Sequence, residues 1–325
     1  MTASLRAFLS GLIDYAGLFP PAKLPMAAAI DNYVRYRADA TAWMLGRFIC
    51  PASRLNDLST HDATWSMASR PLVVAALGRG GENAAAFHDG LLEDLSAIAA
   101  FRTRHGDRAA IDVYEVKLPA DTLTDHDRLA SLVAATIQNF ERDGPPTLTP
   151  YFEVPLVGPE IVDLPVLLAV LARDGAAAGR SRCRAAGVKF RCGGTEPAAF
   201  PSTRQLARAL AAAGSAGVAV KCTAGLHHPL PRWDASVQAK MHGFVNVFLG
   251  GLFARCGQLD EATLTAMLES DQADAFRFDE SGASWHDLRL PTDQIAHRRG
   301  QGMVSFGSCS FDEPREDLQA LGWLP

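Results

Sequence analysis

Apolar and polar positions along the chain follow two periods that take turns. Short runs rich in Val, Ile, Phe, Tyr and Thr, many with Gly or Pro at their ends, read as strands. Eight stand out: Leu12–Phe19, Trp43–Cys50, Leu72–Leu77, Ile111–Leu118, Leu148–Leu156, Gly187–Cys192, Val218–Thr223 and Phe276–Asp279. Between them lie longer, alanine-rich stretches with apolar residues three and four apart, the spacing of an amphipathic helix. These are Met26–Ala38, Glu82–Arg104, Asp125–Arg142, Ile161–Arg173 and Thr203–Ala213. Pro201 and Ser202, just before Thr203, form a helix-start signal.

Strands recur at intervals of about 30 to 40 residues, close to one-eighth of the ~250 residues of a (β/α)8 unit. The alternation predicts a parallel sheet. Eight repeats predict closure into a single (β/α)8 TIM barrel, with an open doubly wound sheet as the alternative. No G-x-G-x-x-G follows the first strand, so the dinucleotide-binding version of that alternative has no support. A helix is expected before the first strand and an enlarged helical insertion after the seventh. That insertion reads as two helices, Ser236–Arg255 and Glu261–Ser270; in the first, Val237, Met241, Phe244, Val245, Phe248, Leu249, Leu252 and Phe253 recur at helical spacing. From Phe306 onward the chain reads as a short closing segment. No Ser-, Gly- or Pro-rich linker divides the chain, so residues 1–325 read as one catalytic domain, although length alone would suggest about two.

Composition narrows the class. Hydrophobic residues make up 48% and charged residues 21%, which excludes a disordered chain. A net charge of −5 gives no support to a nucleic-acid partner, which would require clustered Lys and Arg. No apolar run approaches the ~20 residues of a membrane helix, and Val166–Ala172 suits a core helix. Asp14 interrupts the apolar start and no cleavage pattern follows, so no signal peptide is read. The six cysteines, Cys50, Cys183, Cys192, Cys222, Cys256 and Cys309, form no C-x-x-C pair. They predict a reduced, cytoplasmic protein with neither a disulfide framework nor a cysteine zinc site. The oligomeric state is left open.

Barrel strands alternate side chains between the interior and the helix layer, and catalytic groups come from their carboxyl ends. Charges fall at the expected inward positions. Glu115 and Lys117 alternate with Tyr114, Val116 and Leu118. Glu153 stands between Phe152 and Val154. Lys189 and Arg191 share one face of the sixth strand, and Lys221 and Thr223 one face of the seventh. Arg47 on the second strand, Asp279 on the eighth and Asp14-Tyr15 on the first add to the set. A charge at one strand end can be a solvated group or part of a structural ion pair. Burying several is costly unless they are paired, and their spread over many strands points to a polar active-site cavity.

Lys189 and Lys221 are the most specific pair. Adjacent strands would bring them together, and cationic neighbours favour a neutral amine, a nucleophile able to form a Schiff base with a carbonyl. The segments Val188-Lys189 and Val220-Lys221, the latter followed by Ala224-Gly225, resemble the class I aldolases of the deoxyribose-phosphate aldolase type. The resemblance covers about a tenth of the chain. It implies that Lys189 forms the Schiff base and that Lys221 lowers its pKa. That family's Gly-rich phosphate loop is missing at the expected eighth strand, where Asp279-Glu280-Ser281-Gly282 stands, so the resemblance does not extend to a phosphorylated substrate. A broader resemblance rests on Asp14-Tyr15-Ala16-Gly17-Leu18-Phe19-Pro20-Pro21, on Lys221-Cys222-Thr223-Ala224-Gly225-Leu226-His227-His228-Pro229, and on Met241-His242-Gly243-Phe244-Val245-Asn246-Val247-Phe248. These segments are similar to those of a bacterial (β/α)8-barrel family, and this likeness implies no activity.

His227 and His228 follow the seventh strand, where a barrel keeps its site, and either can shuttle protons near neutral pH. His242 and Asn246, four apart, share a helix face that would reach the mouth. Leu18-Phe19-Pro20-Pro21 reads as a rigid connection that brings Tyr15 to the same end. Three function classes follow. In the first, no cofactor is needed: an enzyme acts on a small anionic carbonyl compound as a lyase of aldolase type or an isomerase. Arg47 and Arg191 would bind the anion, Lys189 or Lys221 would attack or polarise the carbonyl, and Glu115, Glu153 or a loop histidine would move protons. Asp14, Tyr15, Thr223, His242, Asn246 and Asp279 would line the substrate. In the second, a metal-dependent hydrolase or lyase holds a divalent ion with Glu115, Glu153, His227 and His228, and Lys117 or Lys189 is the base; no zincin spacing supports it. In the third, the barrel binds a ligand without catalysis.

Overall fold

The computed structural model describes residues 1–66, 70–145, 147–158, 161–177, 185–257 and 259–325; Cys183 lies outside them. The barrel strands β1 (Ile13–Tyr15), β2 (Leu45–Pro51), β3 (Leu72–Leu77), β4 (Ala109–Lys117), β5 (Thr149–Pro155), β6 (Gly187–Arg191) and β7 (Val220–Thr223) follow in chain order. Next come a hairpin, β8 (Arg232–Asp234) and β9 (Ala239–Met241), and an antiparallel sheet of β10 (Phe276–Phe278), β11 (Gly282–Trp285) and β12 (Leu288–Pro291). Finally β13 (Met303–Ser308) pairs in parallel with both β7 and β1 and closes an eight-stranded barrel. The chain folds as a (β/α)8 TIM barrel.

Helix starts follow local chemistry. Asn83 and Asp125 accept from the backbone N–H groups of Ala86 and Arg128, and Ser202 forms a capping box with Gln205. The helices Ala84–His105, His126–Asp143 and Thr203–Ser215 fall within a few residues of the expected ones. Their apolar faces pack on the outward side chains of the strands, among them Tyr114, Phe152, Val188, Phe190 and Cys222, all buried.

Two expectations are corrected. The eighth barrel strand is Met303–Ser308, not Phe276–Asp279. Residues 276–278 do form a strand, but it lies in the insertion beside β11. The strand-like run ended in a turn that returns antiparallel, a feature that periodicity alone cannot separate from a barrel strand. The closing segment from Phe306 therefore contains half of the closing strand and the helix Asp312–Ala320. Second, the helix expected over 236–255 begins only at Phe244 and ends at Ala254. Val237 and Met241 belong to the hairpin, where Arg232 pairs with Met241 and Trp233 with Lys240. The true helix is buried nearly all round, between Phe306 of β13 and the helix Glu261–Glu269, which explains its lack of a polar face.

Candidate active site

Strand register assembles the site. Glu153 is level with Lys189, and Lys189 with Lys221, so three inward charges on β5, β6 and β7 form one layer. Glu115 on β4 and Asp14 on β1 complete it. Lys189 Nζ lies 2.7 Å from Glu115 Oε2 and 2.9 Å from Glu153 Oε2. Lys221 Nζ lies 3.1 Å from Glu115 Oε1, donates to Ser305 Oγ at 2.8 Å, and contacts Asp14 Oδ2. Ser305 in turn donates to Asp14 Oδ2 at 2.7 Å. Asp14 Oδ1 accepts from the Arg47 backbone N–H at 2.7 Å, and the glycine at position 46 leaves it room: a Cβ there would stand 2.2 Å from the same oxygen. Glu115 thus bridges the two ammonium groups. The whole group is buried, with Lys189 3% and Lys221 0% exposed.

This arrangement corrects one electrostatic expectation. The two lysines do not face each other bare; carboxylates stand between them. Burial pulls the Lys189 pKa down, but Glu115 and Glu153 outweigh it and hold the amine protonated, above the ordinary lysine value. Burial pushes Glu115 up, and Lys189 and Lys221 outweigh that, bringing it to about 2. Glu153 is lowered for the same reason: burial opposes and Lys189 and Arg191 prevail.

Above this layer, at the carboxyl ends of the strands, opens a cavity of about 350 Å³. Lys189, Glu153, Arg191, Thr223 and His227 line it. Arg191, half-exposed, lies with Nη1 3.2 Å from Glu153 Oε1. Of the described lysines, Lys189 alone is in the lining. Lys221, Asp14 and Glu115 are outside the lining; of these three, Glu115 touches Lys189 directly, and Lys221 and Asp14 meet it through Glu115. The turn after β7 reaches the cavity through Ala224 and Gly225, both left-handed (φ 58° and 68°); Gly225 packs so closely on Gly193 that a Cβ there would meet its Cα at 2.9 Å. A non-glycine residue in that region costs energy and is a feature found at functional turns.

Several expected site residues stand elsewhere. Arg47 lies toward the amino ends of the strands, where it lines a second, larger cavity of about 540 Å³ with Asp112 and Tyr151. Its Nε and Nη2 donate to Asp112 at 2.7 and 2.8 Å, a paired fork. Burial works against its proton, and Asp112 and Asp14 hold it. Barrel chemistry belongs to the opposite end, so the smaller cavity is the candidate site. Tyr15 points into the helix layer against Tyr33, Tyr36 and Phe48, with ring centroids 5.3–6.1 Å away. His242 is buried and bonds the Pro201 carbonyl at 2.8 Å, and burial lowers its pKa. Asn246 donates at 2.7 Å to the carbonyls of Met267 and Ser270, closing the end of the neighbouring helix. Only Asn246 is on the helix Phe244–Ala254; His242 stands before its start, so the shared helix face expected of the two does not form, and neither lines the mouth cavity. Asp279 is exposed and bonds Arg289 and the turn to Gly282. It left the barrel along with the misassigned strand, and the loop that follows β13 is Cys309-Ser310-Phe311.

His228 is buried with Nδ1 2.5 Å from Asp317 Oδ2, and His227 Nδ1 lies 3.0 Å from Glu313 Oε2. Both rings are thus taken by the closing helix, and only His227 lines the cavity. Lys117 is exposed at the end of β4, outside the lining. Among the described residues no three His, Cys, Asp or Glu side chains come together in a way that could hold a metal ion. Glu115 and Glu153 spend their oxygens on Lys189, Lys221 and Arg191, while the two histidines turn to Glu313 and Asp317. The residues of this site that sequence reasoning missed are Ser305, Cys309 and Glu313. An alternating run, Met303-Val304-Ser305-Phe306, was the available signal for the first. Among the described residues no helix is long and apolar enough to cross a membrane. Comparisons with family models, with curated proteins and with solved structures return no match.

Proposed function

We propose that the chain is an enzyme acting on a small anionic carbonyl compound, as a lyase or an isomerase that works through Lys189. The observation that carries this reading is that Lys189 alone, among the described lysines, faces the mouth cavity, with carboxylates at 2.7 and 2.9 Å. An anionic substrate group would take Arg191, half-exposed at the rim. That exchange gives the reaction its base. Glu153 is held low by Lys189 and Arg191 together. Once the substrate anion occupies Arg191, Glu153 loses part of that stabilisation and accepts a proton more readily.

Two uses of that proton are open to the same residues. In the isomerase form, the Lys189 ammonium donates to the carbonyl oxygen and Glu153 removes the proton from the adjacent carbon. In the aldolase form, Glu153 takes a proton from Lys189, the neutral amine adds to the carbonyl carbon, and the oxygen leaves as water to give the Schiff base. Glu115 and Lys221 hold Lys189 in place in either case. Borohydride reduction separates the forms: the protein is incubated with short 2-oxo acids, beginning with pyruvate, then reduced and mapped by mass spectrometry. An adduct on Lys189 supports the aldolase form. Exchange of the substrate's proton with solvent but no adduct supports the isomerase form. Neither adduct nor exchange with any member of the series refutes the proposal.

A further inference from the structure

The mouth cavity has two unlike sides. Strand order around the barrel is β1, β13, β7, β6, β5, β4, β3, β2, so β5–β7 stand opposite β1–β3. Glu153, Lys189, Arg191 and His227, the charged and titratable part of the lining, come from β5, β6 and the turn after β7, and Thr223 of β7 adds a hydroxyl. From β2, β3 and the turn after β1 come Ala16, Phe19, Pro20, Pro21, Ile49 and Leu77. Among the described lining residues that side carries no charged or hydrogen-bonding side chain.

The apolar side continues the barrel interior. Ile49, Ala75, Val113 and Tyr151 form a cluster of their own, and Ala16, Phe19 and Leu77 pack against it. Ile49 is buried, while Phe19 and Leu77 are half-buried at the cavity wall. Gly307 of β13 sets the room in front of Ile49: a Cβ there would stand 3.0 Å from Ile49 Cδ1 and 3.8 Å from Thr223 Oγ1. Its φ is not left-handed, so the missing side chain supplies space and not conformational freedom. The cavity's volume of about 350 Å³ is the share of about a dozen waters at ~30 Å³ each. That is room for roughly twice the non-hydrogen atoms of pyruvate.

We propose that the substrate of this cavity carries an apolar, unbranched carbon tail, which lies against Phe19, Ile49 and Leu77 while its anionic carbonyl head faces Lys189 and Arg191. The placement of the head rests on the function proposed above. The tail adds the class: 2-oxo acids extended by about three or four carbons, a length set by the room beside the head, and not polyhydroxylated sugar acids. Arg191 offers a fork to the carboxylate. On the opposite wall a methylene gains by leaving water, about three- to fourfold in affinity for each one buried. A hydroxyl there would meet no donor or acceptor and would lose its water without replacement. Few polar groups on one side and an apolar wall on the other is the composition of a site that orients its ligand by the polar end.

Calorimetric titration of the full chain with pyruvate, 2-oxobutanoate, 2-oxopentanoate and 2-oxohexanoate reads the tail directly, whether or not the protein turns them over. Affinity should rise about threefold per methylene, or about thirtyfold across the series. The 4,5,6-trihydroxy counterpart of 2-oxohexanoate should bind about tenfold or more weakly than 2-oxohexanoate itself. Gly307→Val fills the space beside Ile49, and Leu77→Ser removes apolar wall at the end of β3. Each should lower the ratio of 2-oxohexanoate to pyruvate affinity, by about tenfold for Gly307→Val, a ratio that a general loss of structure would not move. An affinity that stays flat or falls with chain length overturns the tail subsite, as does a trihydroxy acid that binds as tightly as 2-oxohexanoate, or a ratio unchanged in both folded variants. Should neither variant fold, the wild-type series decides. A rising series in a protein that neither exchanges the substrate proton nor forms a Lys189 adduct overturns the function proposed above and leaves the tail subsite standing. A flat series with exchange intact does the reverse, and no binding by any of the acids overturns both.

Discussion

Lys221 makes the buried charge layer quantitatively testable. Its ammonium is fully buried and touches Asp14, Glu115 and Ser305. Lys221→Met keeps the volume of the stem and removes the charge. At an effective dielectric of about 20, the 3.1 Å contact with Glu115 alone corresponds to ~5 kcal/mol of Coulomb attraction. The cost of burying the ammonium cancels part of that attraction. What remains is Asp14 with a buried carboxylate facing only Ser305 and the Arg47 backbone and fork. Breaking one partner of a buried pair typically costs about 3–5 kcal/mol. A chain of this length unfolds with an entropy of about 0.7 kcal/mol/K, so the melting temperature should fall by about 4–7 °C, measured by calorimetry at neutral pH. Adding Asp14→Asn removes the orphaned charge and should recover about 1–3 kcal/mol of the loss, as coupled neighbours do. A drop below about 1.5 °C for Lys221→Met, or strict additivity in the double variant, would refute the view that this layer is an interlocked set of charges.

Three further outcomes follow. Glu115 and Glu153 have lowered pKa values, so the stability they confer is complete above about pH 4.5 and is lost at lower pH, for Glu115 as pH falls toward about 2. Urea titrations between those limits should show it, and Glu115→Gln should start lower and flatten the curve; an unchanged slope would count against the lysine contacts. His227, with a pKa raised to about 10, confers stability that is complete below about pH 6.5 and is lost as pH rises through 10. Its ring should remain doubly protonated at pH 8 by nitrogen NMR, and a neutral ring there would contradict the pairing with Glu313. Asn246→Ala leaves two carbonyls without their donor and should cost about 1–3 kcal/mol in urea unfolding; an unchanged midpoint would count against those bonds.

Seven of the eight barrel strands are legible in the chain because each is a short β-rich run, and all but the second precede a stretch that itself reads as a helix. The eighth is not, because two runs compete for it and both are real strands. What distinguishes Met303–Ser308 is pairing with β1 and β7, a contact between residues some 290 positions apart in the case of Ile13 and Phe306. The inward charges Glu115, Glu153, Lys189, Arg191 and Lys221, and with them the hydroxyl of Thr223, are legible for the same reason as the strands: period-two alternation assigns them a face. Their electrostatics is not. Adjacent strands brought Lys189 and Lys221 level, as expected, but the side chain that decides their protonation, Glu115, comes from β4 and reaches between them. Asn246 and His242 show the opposite case. Their four-residue spacing predicts a shared helix face, yet the helix starts only at Phe244 and leaves His242 outside it, while Asn246 meets the insertion. Ser305 and Cys309 followed the misplaced strand out of view.

Lys189 at the cavity floor is the claim on which the functional reading turns. Proton NMR in D2O measures loss of the methyl or methylene signal of short 2-oxo acids as the protein exchanges the proton beside the carbonyl. Wild-type protein should catalyse that exchange for at least one member of the series, and Lys189→Met should slow it by about a hundredfold or more, the scale of a positioned acid–base group. Exchange that survives in folded Lys189→Met protein would contradict the account.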